Sequence, residues 1–154
     1  FQLAGNDEPG ERLQIDGAVW GSGCEIPLAG AALDIWQADA EGDYHDADED
    51  YRLRAKLTAD DQGRFGFDTI RPGRYAMLGS FRPAHIHFKV SAPGYLPLTT
   101  QLYFSDDPFL APQDPCGTCN SGDQTQIITL ERVRTEGGAV AWRGSFPIVL
   151  RSIA

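Results

Sequence analysis

The most informative stretch of the sequence is RPAHIHFKV, residues 82–90. In a β-strand successive side chains point to opposite faces, so His85 and His87 would share one face. The apolar residues that alternate with them would share the other face and contact a hydrophobic core, which would hold the two imidazoles rigidly. The stretch therefore predicts a strand with one side in the core and two potential metal ligands on the other.

Outward from this strand, short segments of alternating polarity recur along the chain between turn-forming residues. Gly or Pro interrupts nearly every window long enough for helical periodicity, so no α-helix is predicted. We predict an all-β fold, an antiparallel β-sandwich with long irregular loops that forms one domain over residues 1–154. The predicted strands are 12–20, 32–37, 52–58, 64–70, 75–78, 85–91, 99–104, 126–134 and 140–150, and the longest loop is 104–122.

Length, composition and charge exclude several classes of function. A chain of 154 residues with 42% hydrophobic content is long enough for one well-packed core. Its net charge of -9 gives no basic surface for a phosphate backbone, so a nucleic-acid partner is not expected. No apolar run approaches the roughly 18 residues of a membrane span, so we expect a soluble protein. The chain opens on Phe1, which leaves open an export signal removed earlier, and the compartment is undecided.

The cysteines do not suggest a metal or redox site. Cys24, Cys116 and Cys119 are too few for a disulfide framework, and their number is odd. Cys116 and Cys119 form one C-x-x-C, but a structural zinc site would need a second pair of ligands. We interpret these residues as a loop tie or as free thiols.

The spacing of His85 and His87 does not by itself identify a metal site, because histidine pairs with this spacing also occur as surface or core residues of strands. The cupin motif needs a glutamate a few residues later and another histidine, yet the next glutamate is Glu131 and no histidine follows His87. A facial triad of two histidines and one carboxylate would hold Fe(II). Its carboxylate would have to come from Asp106 or Asp107, which lie in the long loop without diagnostic spacing.

Two tyrosines at predicted strand edges are candidate hard ligands. Tyr44 follows the strand 32–37, and Tyr75 follows the turn Pro72-Gly73-Arg74. A free phenol has a pKa of about 10 and binds metals poorly at neutral pH, but a trivalent hard cation favours its oxyanion. Two phenolates with two neutral imidazoles would select Fe(III). Either tyrosine taken alone is more often a half-buried aromatic with a hydrogen-bonded hydroxyl.

Four linked segments resemble the intradiol ring-cleavage dioxygenases and follow the order of that family along the chain. The resemblance is strongest from about Asp16 to Pro108, with a fainter echo at residues 146–151. Four motifs at fitting separations are far more specific than any one of them. They are DIWQAD at 34–39 with Gly42 and Tyr44, TIRPGRY at 69–75, RPAHIHF at 82–88 and LTTQLYF at 98–104.

The resemblance implies a non-haem Fe(III) cofactor and a role for each matching residue. Tyr75 would be a ligand that leaves the metal when substrate arrives and then acts as a base. Arg82 would place a fixed cation near the substrate ring, and Gln101 would hydrogen-bond an intermediate. Their structural alternatives are a salt bridge that orients the histidine strand and a side chain flanking the sheet. The implied metal ligands are Tyr44, Tyr75, His85 and His87.

The activity implied by the resemblance is oxidative ring cleavage. A catechol-type 1,2-diol would be opened by O2 between its two hydroxyl-bearing carbons, and both oxygen atoms would enter a muconic-type diacid. Family members often oligomerise, so a homo-oligomer is among the states that the resemblance allows. Two alternatives remain: a non-catalytic β-sandwich binding module, transthyretin-like or carbohydrate-binding, and a silent subunit of a two-subunit dioxygenase. A silent subunit need not retain all four ligand types.

The sequence does not identify which catechol-type diol is the substrate. Little chain precedes the first predicted strand, so the sequence is similar to the compact protocatechuate-type or stand-alone members of the family. Residues 90–95, VSAPGY, and 98–100, LTT, look more like the catechol-type members. Met77 stands where an aromatic residue is common among protocatechuate enzymes, which weakens a protocatechuate assignment.

Three further residues close to the motifs receive structural interpretations. Trp36 lies in the middle of a predicted strand and is expected in the core rather than against a cofactor. His45 adjoins Tyr44 within an acidic stretch, so we expect it to be exposed or at a rim. Asp34 shares a strand face with Trp36 and is a candidate acceptor behind the site.

Overall fold

The computed structural model describes residues 1–21, 25–45, 52–77, 79–111, 113–116 and 122–153. Within these ranges the chain forms β-strands and one 3-10 turn, with no α-helix. Accordingly, no helix in this part of the chain is long and apolar enough to cross a membrane. The strands are β1 Arg12–Gly21, β2 Ile26–Pro27, β3 Ala32–Gln37, β4 Arg54–Thr58, β5 Arg64–Ile70, β6 Tyr75–Met77, β7 Ser80–Arg82, β8 His85–Ser91, β9 Leu98–Phe104, β10 Ile127–Ile128, β11 Glu131–Arg134, β12 Val140–Ser145 and β13 Ile148–Val149, and the 3-10 turn is Gln124–Gln126.

Two sheets and a short two-stranded ribbon make up the fold. One sheet has the order β11-β12-β1-β13, with β2 and β5 also paired to β1, and the other has the order β10-β9-β8-β3-β4. The ribbon is β6 with β7. Most pairs are antiparallel, but β12 and β13 run parallel to β1, and β10 runs parallel to β9. The predicted β-sandwich is confirmed, and its sheets are mixed rather than purely antiparallel.

The C-terminal strands follow β1 along its length. Leu13 pairs with Trp142 and Val19 pairs with Ile148, so both pairings have the same offset along the chain. The sequence predicted one strand over 140–150, whereas the structure has two strands with a break at 146–147. Pro147 explains the break, because proline has no N–H to donate to a ladder.

The core lies between the two sheets, and Phe88 of β8 stands at its centre. Its ring centroid is 6.2 Å from that of Phe65, 6.0 Å from that of Phe67 and 5.1 Å from that of Phe146, all contributed by the opposite side of the sandwich. These contacts are edge-on or tilted, as aromatic pairs prefer. The apolar face predicted for residues 85–91 is therefore the core face of β8.

Several strand boundaries differ from those predicted. The strands predicted at 32–37, 64–70 and 85–91 match β3, β5 and β8, while β2 and β7 were not predicted. Both are too short to show an alternating pattern, and they form because a neighbouring strand pairs with them. The predicted strand 126–134 is divided because the chain passes from one sheet at β10 to the other at β11.

One of the three cysteines lies within the described residues. Cys116 is disulfide-bonded, so it is not a free thiol. Cys24 and Cys119 lie outside the described residues. Among the residues that are described, no group of three or more His, Cys, Asp or Glu side chains is arranged to hold a metal ion. Donors of another kind are needed if the two histidines are to complete a metal site.

Candidate metal centre

The outer face of β8 carries the histidine pair. The ring centroids of His85 and His87 are 4.7 Å apart. β3 and β9 flank β8, and they place Trp36 and Gln101 directly opposite His87. The Trp36 ring stacks on the His87 ring at a centroid distance of 5.0 Å and an interplanar angle of 3°. Trp36 therefore belongs to the site face and orients an imidazole, and the prediction that it is a core residue was wrong.

Hydrogen bonding and burial prepare both imidazoles for metal binding. His85 Nδ1 lies 2.7 Å from the Pro83 carbonyl oxygen, which can only accept, so the proton is on Nδ1 and the lone pair is on Nε2. Burial lowers the pKa of His85 to about 4. Burial, with the nearby His85 and Arg82, lowers the pKa of His87 to about 3. Both rings are thus neutral at neutral pH, the form that binds metals.

Tyr44 brings a phenol oxygen to both histidines. Its Oη lies 3.1 Å from His85 Nε2 and 2.9 Å from His87 Nε2. The Asp39 carboxylate shapes the preceding loop, because its Oδ1 accepts hydrogen bonds from the backbone N–H groups of Glu41 and Asp43. Tyr44 is half-buried, so this oxygen is held in place by the loop and by its neighbours.

Tyr75 lies at the open side of the same cluster. Its ring is edge-on to that of Tyr44 at a centroid distance of 5.7 Å, and 44% of the residue's surface is exposed. Tyr75 begins β6 and pairs with Arg82 across the ribbon. The structure thus brings the four predicted ligands together, three of them in mutual contact and Tyr75 at the rim.

Two glycines allow the tyrosine loops to meet. Gly42 has a φ of 92°, and a Cβ there would collide with the Arg74 carbonyl oxygen. A Cβ on Gly73 would lie 2.6 Å from the Ala40 carbonyl oxygen. The Gly73 N–H also donates to the Asp39 carbonyl oxygen at 2.8 Å. The two backbones pass so closely that a side chain at either position would push the tyrosines apart.

Arg82 joins a buried polar network beside the histidines. Its Nε and Nη2 each donate to the Asp114 carboxylate at 3.1 Å, and Nη1 donates to Gln101 Oε1 at 3.0 Å. Nη2 also donates to the Tyr103 hydroxyl at 2.8 Å, and that hydroxyl donates to Gln101 Oε1. Arg82 therefore lines the cavity and forms a salt bridge, as the structural alternative expected, while its role beside a substrate ring stays a prediction.

The two aspartates considered for a facial triad have other roles. The Asp107 carboxylate accepts the N–H of Ala84 at 2.9 Å and lies 3.2 Å from Arg74 Nε. It thereby ties together the residues that precede His85 and Tyr75. Asp106 pairs instead with Arg71 at 2.9 Å, at the surface. Neither carboxylate completes the histidine pair.

The predicted site residues line one cavity of about 520 Å³. A larger cavity of about 700 Å³ lies next to it but contains none of the tyrosine or histidine donors, so the smaller one is the candidate site. A volume of this size suits a small aromatic ligand. The lining residues are Trp36, Gly42, Asp43, Tyr44, Tyr75, Met77, Arg82, His85, His87 and Gln101.

The donor set fits the ferric ion implied by the sequence resemblance. Neighbouring ligand atoms around an ion with bonds of about 2.0–2.1 Å stand about 3 Å apart. The contacts of Tyr44 Oη with His85 Nε2 and His87 Nε2 have this separation. A hard trivalent cation also favours the phenolate form of tyrosine, and neutral imidazoles complete a set of nitrogen and oxygen donors.

Several residues near the site differ from the interpretation made from sequence. His45 is half-buried and its Nε2 lies 2.9 Å from the Asp39 carboxylate, outside the cavity. Asp34 Oδ1 is buried without a hydrogen-bond partner among the described residues, while Asp34 Oδ2 lies 3.6 Å from Arg54 Nη2, so a role for Asp34 behind the site stays a prediction. Asp114 and Tyr103 were missed. Tyr103 shares the face of β9 with Gln101, a signal that strand alternation contains, whereas Asp114 lies in the long loop without any pattern.

Comparison with known proteins agrees with this constellation. A family model described as a dioxygenase matches residues 1–152. Chlorocatechol 1,2-dioxygenase of Rhodococcus opacus is 36% identical over 150 residues, which is 85% of this chain and 56% of that protein. The protocatechuate 3,4-dioxygenase beta chain of Burkholderia cepacia is 36% identical over 161 residues, covering 95% of this chain and 67% of that one.

Structural similarity leads to the same class. The crystal structure of 3-chlorocatechol 1,2-dioxygenase from Rhodococcus opacus superimposes with a TM-score of 0.87 at 29% identity, covering 99% of this chain and 65% of that chain. The chain belongs to the intradiol ring-cleavage dioxygenase family. It spans about half the length of several of the curated relatives that it matches.

Proposed function

We propose that residues 1–154 act as one domain that binds Fe(III) and uses O2 to cleave a catechol-type 1,2-diol between its hydroxyl-bearing carbons. The observation that carries the proposal is the convergence of Tyr44 Oη on His85 Nε2 and His87 Nε2 within 3.1 Å. Tyr75 at the rim would be the fourth ligand. The names of the relatives, which include catechol and chlorocatechol 1,2-dioxygenases, support the same class of reaction.

The protein ligands have different parts in this proposal. Tyr44, Tyr75, His85 and His87 would hold Fe(III), which when bound would supply Lewis-acid chemistry toward the diol and O2. His85 is kept in one tautomer by Pro83, so its Nε2 stays available throughout turnover. Tyr44 is held between both imidazoles and remains in place. Tyr75 is 44% exposed, so its side chain can swing outward, and its phenolate oxygen would then take up a proton from the incoming diol.

The wall beside the histidines would stabilise negative charge on the reacting ring. Arg82 is 4% exposed and fixed by Asp114, so its guanidinium is already positioned before the substrate enters. Gln101 and Tyr103 accept hydrogen bonds from it and share a hydrogen bond with each other. Burial raises the pKa of Tyr103, which keeps its hydroxyl protonated as the donor to Gln101.

An optical spectrum of the iron-loaded protein tests the proposal. Tyrosinate bound to Fe(III) should give a visible charge-transfer band that shifts when catechol is added under nitrogen, and O2 admission should consume the diol. Tyr44→Phe should weaken and shift the band, to which Tyr75 would still contribute, and should remove activity. Tyr95→Phe is the matched control, because Tyr95 is a half-buried tyrosine outside the cavity. A colourless protein that retains no iron would contradict the proposal and favour a non-catalytic binding module.

A further inference from the structure

Resting on the proposed function, we infer that the site selects diols without a ring carboxylate, and that Asp43 and Met77 set this preference. Both residues line the cavity of the four proposed ligands. A substituent on the substrate ring would meet three features of this cavity: a buried charge network, a charged residue at the wall and an apolar surface beside Tyr75.

The positive charge in the cavity is already balanced. Apart from the two proposed histidine ligands, Arg82 is the single basic side chain among the described lining residues. It forms a two-point ion pair with Asp114, whose side chain has 0% of its surface exposed. A substrate carboxylate that took Arg82 for itself would leave Asp114 buried without its counter-charge, which is strongly unfavourable. The cavity therefore offers no spare cation from its described lining for an anionic substituent.

Negative charge at the wall works against an anionic substituent directly. Asp43 is exposed, lines the cavity and immediately precedes Tyr44. A carboxylate on the substrate ring would bring a second negative charge into a cavity whose lining already includes Asp43, and unfavourable charge contacts are one way in which sites reject the wrong ligand. The net charge of -9 on the whole chain adds to the repulsion of anions as they approach.

Met77 gives the same region an apolar surface. It ends β6 two residues after Tyr75, so the two side chains share one face of the ribbon. Met77 is half-buried and lines the cavity with Trp36. A methionine side chain is flexible and polarisable, so it adapts to hydrogen, halogen or methyl substituents, but it cannot hydrogen-bond a carboxylate as a donor. The site is thus shaped for catechol and its uncharged derivatives.

Anaerobic calorimetric titration of the iron-loaded protein tests the inference. The probes are catechol, 3,4-dihydroxybenzoate and 3,4-dihydroxybenzamide, the last two being close in size and different in charge. We expect the benzamide to bind at least about tenfold more tightly than the benzoate, equivalent to about 1.4 kcal/mol. Equal affinities, or tighter binding of the benzoate, would overturn the inference.

Variants assign the preference to its residues. Met77→Lys should lower the benzamide-to-benzoate affinity ratio by about tenfold or more, because it adds the missing cation, while Met77→Leu should keep the wild-type ratio. Asp43→Asn should lower the ratio by about threefold through loss of one repulsive charge. The exposed position of Asp43 makes this variant a second route if Met77→Lys does not fold. A ratio unchanged in Asp43→Asn and in a folded Met77→Lys overturns the assignment.

Oxygen uptake separates this inference from the proposed function. If the three diols bind in the expected order and none is consumed with O2, the proposed cleavage is wrong while the charge preference stands. If the diols are cleaved and the benzoate is preferred, the preference is wrong while the cleavage stands. Absence of binding by all three diols would overturn both.

Discussion

The two faces of β8 have opposite roles within one strand. On the inner face Ile86, Phe88 and Val90 are each 0% exposed and contact the opposite sheet. On the outer face His85 and His87 meet a phenol oxygen, and burial lowers their pKa values to about 4 and about 3. Burial stabilises the fold on one side, whereas on the other it keeps donor atoms neutral. Mutations along this single strand should therefore affect either stability or metal binding, depending on the face that they change.

The largest expected effect is on the outer face, at His87. We expect His87→Ala to abolish the tyrosinate band of the iron-loaded protein and to lower activity by more than about 100-fold, because even outer-shell partners of metal ligands cost roughly 10–100-fold. The unfolding midpoint of the iron-free protein should change little. Absorbance at the visible band and O2 uptake measure the two effects.

Lys89→Ala is the matched control for His87. Lys89 lies on the same face of β8, two residues further along, but it is exposed and outside the cavity. Its removal should leave the band and the activity unchanged. If His87→Ala retained both colour and turnover, His87 would not be a ligand. The proposed division of roles between the two faces of β8 would then be wrong.

The next largest effect is on the inner face, at Phe88. Phe88→Ala should destabilise the fold by about 3–5 kcal/mol, because it removes a fully buried ring and leaves a cavity between the sheets. Under native conditions the fraction that remains folded should still bind iron with its normal colour. Denaturant unfolding gives the stability, and the spectrum of the folded fraction gives the state of the site.

Phe81→Ala is the control for ring removal outside the core. Phe81 is 46% exposed and contacts Phe109 edge-on at a centroid distance of 5.8 Å. Its loss should cost about 0.5–1.5 kcal/mol, the range of an aromatic pair. If Phe88→Ala instead left stability intact and removed iron binding, the roles of the two faces would not be separate.

Much of the fold was predictable because its information is local. The alternation of residues 85–91 places Ile86 and Phe88 in the core, and the same rule locates β3 and β5. The ribbon strand β7 carries no such pattern, since it forms only through pairing with β6. The parallel pairing of β12 and β13 with β1 likewise depends on tertiary structure, which alternation does not specify.

The site was predictable where strand geometry or family resemblance specified it. Alternation places His85 and His87 on one face, and the resemblance added the two tyrosines. Asp114 could not be predicted, because it reaches Arg82 across 32 residues from a loop without regular structure. Trp36 was expected in the core because it lies in the middle of a strand, whereas its partner across the ladder is His87 on the site face.

The smallest effect is expected at Arg54, where the outer face of the sheet reaches its edge strand. Arg54 Cζ lies 5.5 Å from the centre of the Trp36 ring, which in turn stacks on His87, and Arg54 Nη2 is 3.6 Å from the Asp34 carboxylate. Its side chain is 40% exposed, and exposed ion pairs and cation–π contacts each contribute about 1 kcal/mol or less. Arg54→Ala removes both contacts and should therefore lower stability by no more than about 2 kcal/mol.

The visible band of the iron-loaded protein tests whether residues of β4 influence the metal site. Arg54→Ala should keep the visible band where it is, because the His87 ring is still held by Tyr44 and by the Trp36 stack. Lys56→Ala, on the same face of β4, is the matched control and should match it in spectrum. A shift of the band in Arg54→Ala alone would mean that loss of Arg54 moves the Trp36 ring and that this movement changes the position of His87. The outer face would then act as one unit from β4 to β8, and the contrast with the core face would apply to the whole sheet.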